Sequence, residues 1–236
     1  MKFYSIIFTM NLTKLLKQEF SNFTKRELIV FSFVILTVLL ISLSINDNKI
    51  ALISAICGIS YTILAGKGKV SCYYIGIIGT LCYSYLSFVN GFFGQLALYA
   101  LYYLPMELIG IYKWKQHLNK EKNEIIKTRL SLKERILYLI IGVVITFIGS
   151  FILKYAGDKK PILDSFTVVF SVFGQILTVK RCIEQWYVWF FVNIVTLVMW
   201  CYAYINGSNC FATILMWFIY SILAVYFLCL WKKEVK

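Results

Sequence analysis

The sequence predicts an all-α integral membrane protein of eight transmembrane helices, and three observations predict it. Apolar residues make up 60% of the chain and charged residues 15%, which leaves too little polar surface to cover a water-facing globule. The charges are segregated, lying almost wholly between long apolar runs. Eight such runs occur, each close to the roughly 20 residues that cross a hydrocarbon core of about 30 Å.

The runs are taken in order. Leu28 to Ile45 follows about 27 residues of mixed charge, and no small-residue cleavage pattern comes after it, so it reads as a retained span rather than a signal peptide. Ile50 to Gly66 and Val70 to Val89 are separated by a Gly-Lys-Gly-Lys segment at positions 66–69. Phe92 to Trp114 is entered through the Asn90-Gly91 turn and contains Pro105, which interrupts the backbone ladder and predicts a kink. Ile136 to Tyr155 stands alone after a basic loop. Leu163 to Val179, Trp186 to Ile205 and Phe211 to Trp231 complete the set. In lipid each backbone polar group must be satisfied within its own segment unless a barrel closes, so the spans are read as helices.

Orientation follows from the basic residues. With the N-terminus inside, 20 of the 24 lysines and arginines fall on the inner side, leaving Lys49, Lys154, Lys159 and Lys160 outside. This is the asymmetry of the positive-inside rule, and it places both termini in the cytoplasm. The net charge of +13 then reads as membrane orientation and contact with anionic lipid; nucleic-acid binding has no supporting motif. The seven cysteines show neither a disulfide framework nor metal spacing, and no metal or other cofactor is expected. The lone histidine, His117, reads as a solvated loop residue.

An internal repeat organises the chain. Gly58 and Gly174 lie 116 residues apart, as do Asn90-Gly91 and Asn206-Gly207, while Trp114-Lys115 matches Trp231-Lys232 at 117. The predicted arrangement is two parallel three-helix units joined by a linker helix, preceded by one extra N-terminal span. The corresponding segments are 1–49, a first unit 50–115, a basic loop and linker helix 116–160, and a second unit 161–236.

Candidate binding residues lie on helix faces. Trp186, Trp189, Asn193, Thr196 and Trp200 are spaced 3, 4, 3 and 4 apart, which forms one stripe on the seventh span. Tyr73, Gly76, Thr80, Tyr83 and Ser87 form a similar stripe on the third, and the 116 offset pairs Tyr73 with Trp189 and Thr80 with Thr196. Tight helix contacts favour small residues, so large aromatic and amide faces suit a cavity better than packing. Gln175 on the sixth span, and Gln95 with Tyr102 on the fourth, are further polar candidates that helix-to-helix bonding would explain equally well. Glu107 is the carboxylate set deep within a span, and an ionisable group there is a functional candidate. Asp164 stands at the outer mouth of the sixth span.

No Walker-type G-x-x-x-x-G-K-[ST] sequence occurs, and no nucleophile, base and orienting group form one constellation, so neither ATP-driven pumping nor an enzyme is indicated. The segment Tyr102-Tyr103-Leu104-Pro105-Met106-Glu107-Leu108-Ile109-Gly110 followed by Trp114, and Glu184-Gln185-Trp186-Tyr187-Val188-Trp189 followed by Asn193, resemble the signatures of the PnuC family of vitamin transporters. The Gly-Lys-Gly-Lys segment and the Asn90-Gly91 turn are similar too. The resemblance runs from Ile50 to the end of the chain and implies the three-plus-one-plus-three arrangement, related to that of the sugar-carrying SWEET proteins. It implies facilitated diffusion of nicotinamide riboside across a bacterial inner membrane, trapping of the product by a cytoplasmic kinase, and a homotrimer. It also places Trp186, Trp189 and Asn193 in the binding site, and many members carry glutamine where this chain has Glu107. A carrier of thiamine or riboflavin, or a non-transporting membrane receptor or scaffold, are the competing readings.

Overall fold

The structure, a computed structural model, describes residues 19–44, 48–89, 96–119, 121–157, 160–206 and 211–235. Eight helices dominate it: α1 (Lys25–Ser44), α2 (Lys49–Gly66), α3 (Ser71–Val89), α4 (Leu98–Gln116), α5 (Leu132–Tyr155), α6 (Pro161–Val179), α7 (Glu184–Ile205) and α8 (Phe211–Glu234). All but α4 are uniform helices long and apolar enough to cross a membrane.

Helix α4 is continuous but changes pitch. Leu98–Tyr103 is a π turn and Leu104–Gln116 is α-helical. Leu104 N–H donates five residues back, to the Tyr99 carbonyl. Pro105 has no N–H to donate, and its ring would clash with the carbonyl four residues earlier, so widening the preceding turn relieves both. The expected kink at Pro105 is therefore realised as a pitch change that re-aims three tyrosines.

Helix starts carry the expected chemistry. Asn48 caps α2 by accepting from Ile50 N–H at 2.8 Å. Ser131 and Glu134 form a reciprocal capping box on α5, and Pro161 opens α6 where its missing N–H costs nothing.

Six helices form a ring in the order α2, α3, α4, α6, α7, α8, with α8 returning to α2. α1 lies outside it against α2 and α8, and α5 lies outside against α6. Large apolar side chains on these two helices, among them Leu36, Leu40, Ile140, Val144 and Phe147, are exposed. Such a face is stable only where lipid or protein covers it.

One end of the ring is closed, and we call it the loop end because residues 121–131 fold across it. There Tyr73, Trp114, Phe227 and Trp231 are fully buried. Trp231 Nε1 donates to the Gly66 carbonyl at 2.7 Å, and Trp114 Nε1 donates to the Thr178 carbonyl at 3.0 Å. The indoles at the ends of α4 and α8 thus donate to carbonyls in the last turns of α6 and α2. Edge-on ring pairs accompany them: Tyr73 with Trp114 at 4.9 Å and Trp186 with Trp231 at 5.6 Å.

The two short turns at this end share a hydrogen-bond pattern. Lys67, Gly68 and Lys69 N–H donate to Ile63, Ala65 and Leu64; Lys180, Arg181 and Cys182 N–H donate to Ile176, Thr178 and Leu177. The central residue has positive φ in both, +69° at Gly68 and +63° at Arg181. Arginine there is strained, and its surroundings hold it: its carbonyl accepts from Thr128 N–H, and Nη1 donates to the Ile126 carbonyl. The pattern pairs Lys67 with Lys180, an offset of 113 residues. At that offset Tyr73 aligns with Trp186 and Thr80 with Asn193, whereas the far ends of α3, with 19 residues, and α7, with 22, align at the 116 offset read along the sequence.

Residues 121–131 join the two turns. Ile125 N–H donates to Gly68, Thr128 N–H to Arg181, and Ile183 N–H to Thr128. Lys69, completely buried, donates through Nζ to the Asn123 carbonyl at 3.0 Å, and burial holds its ammonium below the usual lysine range. Lys67 pairs with Glu27 at 2.8 Å, and Arg135 with Glu184 at 2.8 Å. The lysines of the Gly-Lys-Gly-Lys segment are thus structural as well as charge markers.

The two indole contacts differ in one respect. Arg181 N–H also donates to the Thr178 carbonyl, whereas among the described residues Gly66 accepts from Trp231 alone. Trp231→Phe should therefore cost about 1 to 3 kcal/mol more than Trp114→Phe, because only the first leaves a buried acceptor orphaned. Thermal unfolding of the two variants in the same detergent checks this; equal losses would mean that ring packing, not the hydrogen bond, holds the loop end.

Candidate functional site

The ring encloses a cavity of about 780 Å³, within the range of small-molecule sites. Its lining extends from Ala51, Asp164, Trp200 and Leu215, toward the end opposite the loop, down to Ala65, Thr178, Gln185 and Trp186. The buried Tyr73, Trp114, Phe227 and Trp231 lie beyond, toward the loop end.

Helix α7 supplies the most regular wall. Trp186, Trp189, Asn193, Thr196 and Trp200 all line the cavity, as the helical spacing predicts. Asn193 and Trp186 are buried and Trp189 is half-buried. Two contacts with α6 fix Trp189. Its Nε1 donates to Thr178 Oγ1 at 3.1 Å, and its ring lies over Gly174, where a Cβ would stand only 2.9 to 3.2 Å from ring atoms. Glycine at 174 is thus what allows the indole to lie against α6. Thr178 also accepts from Trp114 through its carbonyl, so one residue supports both the cavity wall and the closed end.

The opposite wall comes from α2, α3 and α4. Thr80 and Tyr83 face the cavity from α3, and Tyr99, Tyr103 and Glu107 face it from α4. Tyr83 and Tyr99 stack at 4.2 Å, and Tyr99 meets Tyr103 edge-on at 4.9 Å. Tyr61 of α2 and Gln175 of α6 also contribute.

The electrostatics are one-sided. Among the described lining residues Glu107 and Asp164 carry carboxylates, and there is no lysine, arginine or histidine. Near the floor two buried donors, Gln185 Nε2 and Trp186 Nε1, lack hydrogen-bond partners within the protein, as does the acceptor Glu107 Oε2. An unpaired buried polar atom costs about 1 to 3 kcal/mol. The two N–H groups call for an acceptor, and the carboxylate oxygen for a donor or a cation.

The structure gathers Trp186, Trp189, Asn193, Thr196, Gln175, Thr80, Tyr83 and Glu107 into this one space. It does not bring in two other candidates. Tyr73 is fully buried outside the lining, against Gly110 and Trp114. The Tyr102 hydroxyl donates to the Val172 carbonyl at 2.7 Å, so that side chain serves helix packing. Gln95 lies outside the described residues. Sequence reasoning missed Tyr61, Tyr103, Gln185, Trp217 and Tyr220 as lining residues. The run Tyr99, Tyr103, Glu107, spaced by four, carried a signal for one of them, hidden because the π turn changes which α4 residues share a face.

Comparison with known proteins adds an independent line. A sequence-family model described as nicotinamide mononucleotide transporter matches residues 48–233. The nicotinamide riboside transporter PnuC of Neisseria mucosa is 33% identical over 195 residues, 80% of this chain and 74% of that protein. The protein of the same name from Haemophilus influenzae is 30% identical over 230 residues, 96% of this chain and 99% of that one. A crystal structure of the vitamin B3 transporter PnuC superposes with a TM-score of 0.80 at 29% identity, covering 92% of this chain and 95% of its own.

Proposed function

The chain belongs to the nicotinamide mononucleotide transporter family, and on that premise we propose that it carries nicotinamide riboside across the bacterial inner membrane. The observation that supports this most is the cavity's composition: aromatic faces and amides, two carboxylates and no basic side chain among its described lining. A cationic pyridinium stacks favourably on Trp or Tyr, and its carboxamide and ribose hydroxyls suit Asn193, Gln175 and Gln185. The 5′-phosphate of a mononucleotide would enter a space with no cation to receive it, a cost that a buried anion cannot recover. Relatives named for the riboside and a family named for the mononucleotide are thereby separated on physical grounds.

A thiamine cation is the reading closest behind, since the aromatic and acidic features suit it too; riboflavin lacks the positive ring, and a receptor or scaffold would need no such cavity. Transport is proposed as facilitated diffusion by alternating access, with the observed state closed at the loop end. In that proposal the loop end is cytoplasmic, as the basic-residue asymmetry indicates. Two parallel three-helix units, α2–α4 and α6–α8, with α5 as linker, are supported by the ring order, in which the third helix of each unit meets the first of the other. The matched turns and exchanged indoles add to that support. The homotrimer that the resemblance implies is likewise proposed, with the apolar faces of α1 and α5 available to a second copy or to lipid.

In proteoliposomes, uptake of labelled nicotinamide riboside should be competed by unlabelled riboside and unaffected by the mononucleotide at equal concentration; stronger competition by thiamine would reassign the vitamin. Trp189→Ala and Asn193→Ala should each weaken riboside binding at least tenfold, because stacking is worth about 2 kcal/mol and an orphaned amide partner about 1 to 3. Unchanged affinity in both well-folded variants would make the α7 stripe packing only. A cysteine introduced at Lys122, an exposed loop-end position, should resist membrane-impermeant thiol reagents in intact cells, and labelling there would invert the orientation.

A further inference from the structure

Glu107 is set differently from the other acidic residues that pair with cations. Glu27, Glu124, Glu184 and Glu234 pair with lysine or arginine at the loop end. Glu107 is buried within α4 at 5% exposure and takes part in no ion pair among the described residues. One oxygen, Oε1, accepts from the Thr80 hydroxyl at 2.9 Å. The other, Oε2, is buried without a hydrogen bond although the side chain lines the cavity. The room for the carboxylate comes from Gly76 on α3, where a Cβ would stand 2.9 Å from Oε1 and 2.7 Å from the Tyr61 ring. Thr80 thus orients the group, and Gly76 leaves the space it occupies.

A buried carboxylate oxygen with neither a donor nor a cation is costly, and the cost falls when a positive charge arrives. No residue on the described lining brings that charge. The bound molecule does. We propose that Glu107 sets charge selectivity: its carboxylate puts negative charge on the cavity wall beside the positive ring of the substrate, so the carrier discriminates a cationic N-ribosylpyridinium from an uncharged molecule of the same shape. This inference rests on the transport reading above and assigns within it the group that reads charge.

The reduced riboside, a neutral dihydropyridine of nearly the same size, separates charge from shape. Calorimetric titration of the purified full-length protein should show the oxidised, cationic riboside binding at least about tenfold tighter than the reduced form. Glu107→Gln keeps the size and loses the charge; it should weaken the cation at least about tenfold and leave the reduced form within about threefold, so the preference collapses. Glu107→Asp should retain the preference even if both affinities drop, and it decides the matter if the glutamine variant does not fold. Equal weakening of both forms by Glu107→Gln, no weakening of either, or loss of the preference in a folded Glu107→Asp protein would overturn the role assigned to Glu107 while leaving the carrier assignment standing. A parent protein that binds neither form would remove the transport reading itself, and this inference with it.

Discussion

The pair of indole hydrogen bonds, from α8 to α2 and from α4 to α6, is the contact on which the closed end depends. Trp231 reaches the end of α2, where among the described residues the Gly66 carbonyl has no backbone donor, and Trp114 reaches the end of α6, where the Thr178 carbonyl also accepts from Arg181 N–H. In a low-dielectric surrounding a buried acceptor cannot be left to water, so α2 is completed by the indole of α8. Closing the ring at one end leaves the space between the helices unfilled at the other. Thr178 links the closed end to the cavity wall by serving Trp114 and Trp189 together.

The charges at the closed end follow from the same constraint. Lys67 and Lys69 are almost fully removed from solvent, and the ion pair with Glu27 and the Asn123 carbonyl compensate them. Buried pairs of this kind offer little net stability, because desolvation offsets the attraction. Their effect is on geometry: a lysine that must find a particular carbonyl holds residues 121–131 in one register against both turns.

Much of this was legible in the amino-acid sequence, for reasons that differ by element. Span positions follow from length and apolarity, which a bilayer enforces strongly, and the described helices lie within a few residues of the expected runs. The α7 stripe was legible because a regular helix keeps its period, and Trp186, Trp189 and Asn193 share the wall that the spacing requires. Tyr73 and Tyr102 were misplaced for two separate reasons. The 116 offset pairs Tyr73 with Trp189, whereas the turns that share a hydrogen-bond pattern at the loop end align it with Trp186, at an offset of 113. Tyr102 sits in a π turn, whose wider pitch no apolar periodicity announces. Tyr61 and Gln185 were missed because cavities are made by the facing of several helices, and a single helix pattern carries no record of its neighbours.

The joining of both turns by residues 121–131 has a consequence for leakage. Ile125 is bonded to one turn and Thr128 to the other, so the closed end cannot loosen on one side while staying intact on the opposite side without breaking shared bonds. Under the proposed alternating access, partial openings of this end, which would let water and protons thread the membrane, are disfavoured together rather than one by one. A cell that maintains a proton gradient gains from a carrier whose seal yields all at once, because the time spent half-open is the time in which its membrane conducts.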